Sequence, residues 1–272
     1  MAFNLIHLYP EVAIHTPRLN DGVLHLLAAE GAAAALDAGQ DPTDFWLGGV
    51  TFGYPLVHHY QHLPYVALAL AHRLTGLPVT TLFDWSGYLL LCLFPLSVYG
   101  AMRRVGFGPL PAVLAGLAAP LLATDGLYGF DFGSYAWRGF GLYTQFWGMA
   151  LLPPAVAEGY VTLRTGRGYF RSTLCLGATL LAHLVSGYIA GLSLAALVLL
   201  PALGRGELPS DEEPVASPAG VLPRAGRLLL LGAGVALATA YFWVPYALDG
   251  AYMNRSVWEK AIKSARTCNF TG

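Results

Sequence analysis

Charge is scarce in this sequence: 11% of its 272 residues are Asp, Glu, Lys or Arg, against roughly 25% in a soluble domain. Fifteen basic and sixteen acidic residues leave a net charge of −1, so no basic surface is available for nucleic acid. Cysteine is sparse too. Cys92 and Cys175 lie inside apolar runs and Cys268 in the C-terminal tail, which excludes a disulfide framework and offers no CxxC or Cys/His metal spacing. No phosphate-binding loop, nucleophile elbow or HExxH motif occurs, so neither a nucleotide-using site nor a cofactor or metal centre is assigned from sequence. The opening MAFNLIHLYPEVAIH has no basic start and no long apolar stretch, and does not read as a signal peptide. What is abundant is apolar: 56% hydrophobic residues and a mean hydropathy of +0.53. A disordered chain would be polar and charged; this one reads as a membrane protein.

A helix crosses a bilayer with about 20 mostly apolar residues. Residues 105–124 and 228–248 carry no charge, 82–102 carries only Asp84, and 139–163 carries only Glu158 near its end. Residues 172–204 are different, because they are uncharged for 33 residues. As one helix they would be about 50 Å long, too long for a hydrocarbon core of about 30 Å. Two short helices turning near Ser186-Gly187 fit better. The expected fold is all-α: a polytopic transmembrane bundle of about six spans, one pair short.

Basic residues in short loops mark the cytoplasmic side. Arg103-Arg104 and the group Arg164, Arg167 and Arg171 place residues 1–81 outside as an extracytoplasmic segment, followed by a helical region over 82–248. Residues 249–272 then begin a further outer segment. Arg255, Lys260, Lys263 and Arg266 in that tail argue the other way. A single long span in place of the helix pair would put them inside, so the parity after Leu203 stays open. Nothing precedes the outer segment to carry it across, and the chain stops mid-segment at CNFTG. The expectation is a piece of a longer protein, with the Asn269-Phe270-Thr271 sequon read as chance.

Seven of the eight histidines fall in the first 72 residues, so the polar chemistry concentrates in the outer segment. Asp21-Gly22 opens a run, VLHLLAAEGAAAALDAG, that reads as a helix ending at Gly39. Residues 64–75, with Pro64 at the start and Gly76 just past the end, read as a second. Both suit helices lying along a membrane surface. The motifs NDGVLHL and GYPLVHHYQHLPYVALALAHRLTG, with LLAHLVSGYIAGLSLAALVLL and ATAYFWVPYALDGAYMNRSVWEK further on, resemble bacterial polytopic proteins of the family called 6-pyruvoyl-tetrahydropterin synthase-related, membrane. That family looks like a branch of the GT-C glycosyltransferase superfamily and, despite its name, implies no pterin chemistry. The resemblance implies a sugar donor linked to polyprenyl phosphate, used at the outer face of a bacterial cytoplasmic (inner) membrane. It also implies an acid in the first outer loop that serves the acceptor, and Asp21 matches that position.

A carboxylate there can take the proton of an attacking hydroxyl. Asp21 reads equally as a helix cap, and Asn20 stands where many GT-C enzymes have a second acid. His25 follows one turn later. His58 and His62 would share a face of a helix, with His59 between them, but no Cys or carboxylate lies within four residues to complete a metal site. His183, alone in an apolar run, is a functional candidate or an inter-helix hydrogen-bond partner. Arg138 sits among nine aromatics between Tyr128 and Trp147. They form either an interfacial belt or a stacking site where Arg138 meets a phosphate. His25, His58, His59, His62, Arg138 and His183 are the candidate substrate-binding residues. The rival readings are a non-catalytic protein that binds or presents lipid-linked glycans and, third, a transporter, for which no internal repeat is found.

Overall fold

The computed structural model describes residues 2–14, 21–48, 53–119, 142–200 and 220–251. Among them the chain is all-helical, and an isolated bridge between Leu47 and Tyr54 is the β pairing present. Two short helices, α1 (Ala2–His7) and α2 (Pro10–Ala13), precede α3 (Asp21–Asp37) and α4 (Leu63–Thr75). The bundle follows as α5 (Val79–Val105), α6 (Pro109–Ala118), α7 (Tyr143–Thr165), α8 (Tyr169–Ala182), α9 (Leu184–Leu199), α10 (Val221–Ala238) and α11 (Ala240–Leu248).

The outer pair forms as the punctuation predicts. Helix α3 runs to Asp37 and the chain turns at Gly39 with φ 72°. Helix α4 ends on Gly76, φ 70°, whose N–H donates to the His72 carbonyl. Alanines carry the packing: Ala28, Ala29, Ala32 and Ala33 are buried in one cluster with Tyr65, Leu68 and Ala69 of α4. Small side chains let the two helices approach closely, and Phe45 lies across Gly31, where a Cβ would meet its ring.

Helix α7 is the axis of the bundle. Ser97 on α5 donates to the Ala150 carbonyl, and Arg104 makes a two-pronged pair with Glu158 at 2.8 and 3.1 Å, so α5 and α7 run parallel. Helix α8 returns beside α7, starting where Thr162 meets Ser172 at 2.6 Å. Helix α9 then runs parallel to α7, since Gly148 faces His183 and Ser186 while Gly159 faces Leu194. The described part of the 172–204 run, up to Leu200, is thus a helical hairpin, as its length suggests. Its turn is His183, φ −158° and ψ 110°, three residues before the expected Ser186-Gly187. Those two residues have other work: a Cβ on Gly187 would lie 2.8 Å from the Leu180 backbone, and Ser186 is bonded to His183.

Among the described residues two helices are long and apolar enough to cross a membrane, α5 with 27 residues and α10 with 18. Residues 228–248 are not one continuous helix: α10 ends before Thr239, φ −109° and ψ 12°, and the chain restarts as α11. The expected span 105–124 begins differently: Val105 closes α5, which ends on Gly106 with φ 105°, and α6 takes up Pro109–Ala118, while residues 120–124 lie outside the described residues. Large apolar side chains point outward along the bundle, among them Leu114 and Leu117 on α6, Leu192 on α9 and Leu229, Leu230 and Leu237 on α10. In water such a belt would be unfavourable, since apolar surface costs about 25 cal/mol per Å² left exposed.

Seven of the eight described arginines gather at one end; the eighth, Arg73 on α4, donates to the Leu36 carbonyl in the outer pair. Arg103 and Arg104 close α5, Arg164 and Arg167 lie at the end of α7, Arg171 opens α8, and Arg224 and Arg227 open α10. Two of them tie helix ends together: Arg227 donates to the Leu163 and Arg164 carbonyls, and Arg224 to that of Leu200. Sequence suggests no more for Glu158 than a charge near a helix end. In the fold it is 17% exposed, like its partner Arg104. Removing one charge strands the other, which costs about 2–3 kcal/mol for a half-screened pair. Arg104→Met or Glu158→Met should therefore lower the unfolding midpoint in detergent. The double Met variant should recover most of the loss. A loss in the double variant equal to the sum of the two single losses would mean that the pair contributes nothing as a pair.

Candidate functional site

The polar residues converge at the opposite end, where the segment after α3 lies across the starts of α7, α9 and α11. Residues Leu56–His59 form a single 3-10 turn, and Tyr60 then extends, φ −130° and ψ 155°, into Gln61 and His62. Gln61 is buried and works at both ends of its amide. Its nitrogen donates to Thr144 Oγ1 at 2.8 Å on α7, and its oxygen accepts the Leu184 N–H at 3.0 Å at the start of α9. The first N–H groups of a helix have no partner within it. Gln61 satisfies one for α9, and His183 Nδ1 accepts another from Ser186.

Asp21 begins α3 and is exposed. His25, on the next turn, is 4% exposed, so the two do not line one open face. The His25 Nδ1 lies 2.6 Å from the Tyr65 hydroxyl, and Tyr143 lies behind it, stacked on Phe83 and bonded to Ser86 at 2.7 Å. Burial first, and then the charge His183 would carry, pull the His25 pKa down to about 4. His25 is a neutral, bonded core histidine at neutral pH. Tyr60 links the acid to this layer. Its hydroxyl is pushed above its ordinary value by burial, against a hydrogen bond with Thr144 that lowers it, with the Asp21 charge adding to the rise.

The shared face that His58 and His62 would have on an α-helix does not form. A 3-10 turn followed by an extended residue does not keep the i, i+4 face of an α-helix, and the two histidines take different partners. His62 is buried, with Nε2 2.7 Å from the Tyr241 hydroxyl and Nδ1 3.3 Å from the Tyr60 carbonyl. A proton on Nδ1 and a lone pair on Nε2 satisfy both contacts. Burial lowers its pKa. His58 instead joins His59, with ring centres 4.3 Å apart and edge-to-face. Both meet Asp249, just past α11, at 3.2 and 3.0 Å from its Oδ2, while His58 Nδ1 meets Asp44 at 3.0 Å. Burial lowers the His58 pKa, but the hydrogen bonds to Asp44 and Asp249 outweigh it and the net shift is upward. His183 caps α9 and contacts Ser186 at 2.9 Å. Arg138 lies outside the described residues.

Sequence reasoning missed Asp249, Gln61, Thr144, Tyr60 and Tyr241. Asp249 follows the FWVPYAL run and is separated by 190 residues from His59, so no local spacing could have paired them. Gln61 stands between two flagged histidines, and a lone glutamine in a loop carries no motif.

The lowered His25 pKa makes a pH prediction. A histidine whose folded pKa lies below its unfolded value of about 6.5 binds protons preferentially in the unfolded chain. Its stabilising contribution is present above about pH 6.5 and lost as pH falls toward 4, by about 3 kcal/mol in total. Unfolding midpoints followed by tryptophan fluorescence should fall through that window. His25→Gln should flatten the fall relative to the parent chain. Parallel pH profiles would remove His25 as the cause.

No family model matches this chain, and neither does any curated protein or solved structure.

Proposed function

We propose that this chain is a multi-pass, six-crossing protein of a bacterial cytoplasmic membrane with a GT-C-like fold. In this reading it moves a sugar from a polyprenyl-phosphate donor to a hydroxyl acceptor at the outer face. The observation that carries the reading is an exposed carboxylate, Asp21, whose charge reaches Tyr60, at the bundle end remote from the cluster of seven arginines. The cluster of seven arginines at one end supports a cytoplasmic position for that end by the positive-inside rule, and with it an outward-facing Asp21 and histidines. The outward leucines supply a surface for lipid, with α8 and α9 as a short pair inside the bundle. The resemblance of NDGVLHL and GYPLVHHYQH to GT-C-related outer loops supplies the reaction.

The chemistry asks little of the protein. As the acceptor oxygen bonds to the anomeric carbon, the bond from that carbon to the donor phosphate breaks and the lipid phosphate leaves as an anion. Asp21 takes the hydroxyl proton, and its charge favours positive charge developing on the sugar ring. His25 is not the base, because its Nδ1 is held by Tyr65 and its surface is closed. His58, His59 and His62 line the same end, and Arg138 is the candidate for the donor phosphate.

A second reading, a non-catalytic protein that holds lipid-linked glycans, is favoured by one observation. Asp21 stands in the first turn of α3, where a carboxylate stabilises the helix dipole without doing chemistry, and its neighbour is Asn20. Asp21→Asn separates the two, since Asn keeps the shape and loses the charge. In the native host, with protein levels confirmed, the variant should lose one sugar from an envelope glycan and accumulate the lipid-linked donor. The expected drop in transfer is about 10²–10⁴-fold. If deletion of the gene changes the glycan profile and the Asn variant does not, the base assignment fails and the binding reading takes its place.

A further inference from the structure

We propose that His58, His59 and Asp249 form a binding site for a zinc-like divalent transition-metal ion, with Asp44 orienting His58. The proposal does not depend on glycosyl transfer. Its basis is the convergence of three donor atoms from two distant parts of the chain. The ligand atoms of His58, His59 and Asp249 all lie within 4.8 Å of one another. His58 Nε2 and His59 Nε2 stand 3.2 and 3.0 Å from Asp249 Oδ2. Ligands at about 2.0–2.1 Å from a tetrahedral zinc ion are separated by about 3.3 Å, so the observed spacing needs little adjustment.

The fourth side chain has the place an outer partner takes in metal sites. His58 Nδ1 lies 3.0 Å from an Asp44 carboxylate oxygen. An imidazole that gives its Nδ1 proton to a carboxylate has its Nε2 lone pair free for a metal, and the carboxylate fixes both the tautomer and the ring orientation. The 3-10 turn sets the two rings edge-to-face, so their Nε2 atoms converge on Asp249. Two nitrogens and one carboxylate suit zinc or a neighbouring divalent transition metal, whereas magnesium and calcium ask for oxygen ligands throughout. The two histidines are each 27% exposed and Asp249 is 38% exposed, which leaves room for water as a fourth ligand.

Such an ion would tie the turn before α4 to the end of α11. Because the ligands meet only in the folded chain, binding adds to stability in proportion to how far the metal concentration exceeds the dissociation constant.

The test uses the full chain in detergent, stripped with a chelator and then titrated with zinc chloride against a competing chromophoric chelator. Bound metal is counted by elemental analysis. One zinc per chain is expected, with a higher unfolding midpoint, undisturbed by excess magnesium or calcium. Cobalt(II) in its place should give the intense visible absorption of four-coordinate geometry. Asp44→Asn, which removes no ligand, should weaken binding about tenfold or more. His59→Ala and Asp249→Asn should weaken it further, while His72→Ala, at the exposed end of α4, leaves it unchanged. Failure of the parent chain to bind one equivalent overturns the proposal. So does binding that survives unchanged in folded His59→Ala and Asp249→Asn chains, with folding judged by elution and circular dichroism. Neither result bears on whether Asp21 is a base.

Discussion

A helix that breaks inside an apolar bundle exposes backbone donors that have no water to turn to, and the architecture follows from how those donors are satisfied. The α8–α9 hairpin turns on one residue, His183, with α7 pressed against it at Gly148, where any Cβ would collide with His183. The freed N–H of Ser186 goes to His183 Nδ1 and that of Leu184 goes to Gln61. An unsatisfied buried N–H costs about 1–3 kcal/mol, so the hairpin needs the segment around Gln61 to be docked. The segment in turn needs the hairpin, because the other end of the Gln61 amide is held by Thr144 beside it. The outer segment and the bundle are thereby parts of one cooperative unit.

That docking also assembles the polar end. Once Gln61 is seated, His62 lies against Tyr241 and Phe242, and the preceding turn brings His58 and His59 to Asp249. The break at Thr239 serves the same purpose. A continuous helix would carry α11 straight past the turn, whereas the restart leaves Tyr241, Tyr246 and Asp249 facing the histidines.

Elements with local punctuation were legible in the sequence. Asp21, Gly39, Pro64 and Gly76 bounded α3 and α4 because caps and left-handed glycines act within a turn of their own position. The 33-residue uncharged run revealed a hairpin because its length is incompatible with one crossing. The turn itself was displaced by three residues, since Gly187 reads as a hinge in sequence while in the fold it admits Leu180. His58 and His62 were paired on the assumption of α-helical spacing, and the short 3-10 turn gave His58 a different neighbour. The carboxylate that completes the cluster comes from the far end of the chain, and no local pattern carries that information. The same holds for the Arg104–Glu158 pair, whose two halves each look like an ordinary helix-end charge.

The division between neutral and ionised groups at the polar end limits which of them can do chemistry. His25, His62, Gln61, Thr144, Tyr65 and Tyr143 are buried and bonded among themselves, to Ser86 and Tyr241, or to backbone. A layer satisfied in this way fixes a single arrangement, and any change of charge within it is resisted by the burial that lowers His25 and His62. Proton transfer at neutral pH therefore falls to groups at the layer's margin. Asp44, Asp249 and the two exposed histidines already hold one another there. Asp21 is a carboxylate at that margin, exposed at the start of α3. A base must be reachable by the acceptor before it can take a proton: Asp21 is exposed at the start of α3, whereas His25 is closed in and its Nδ1 is held by Tyr65.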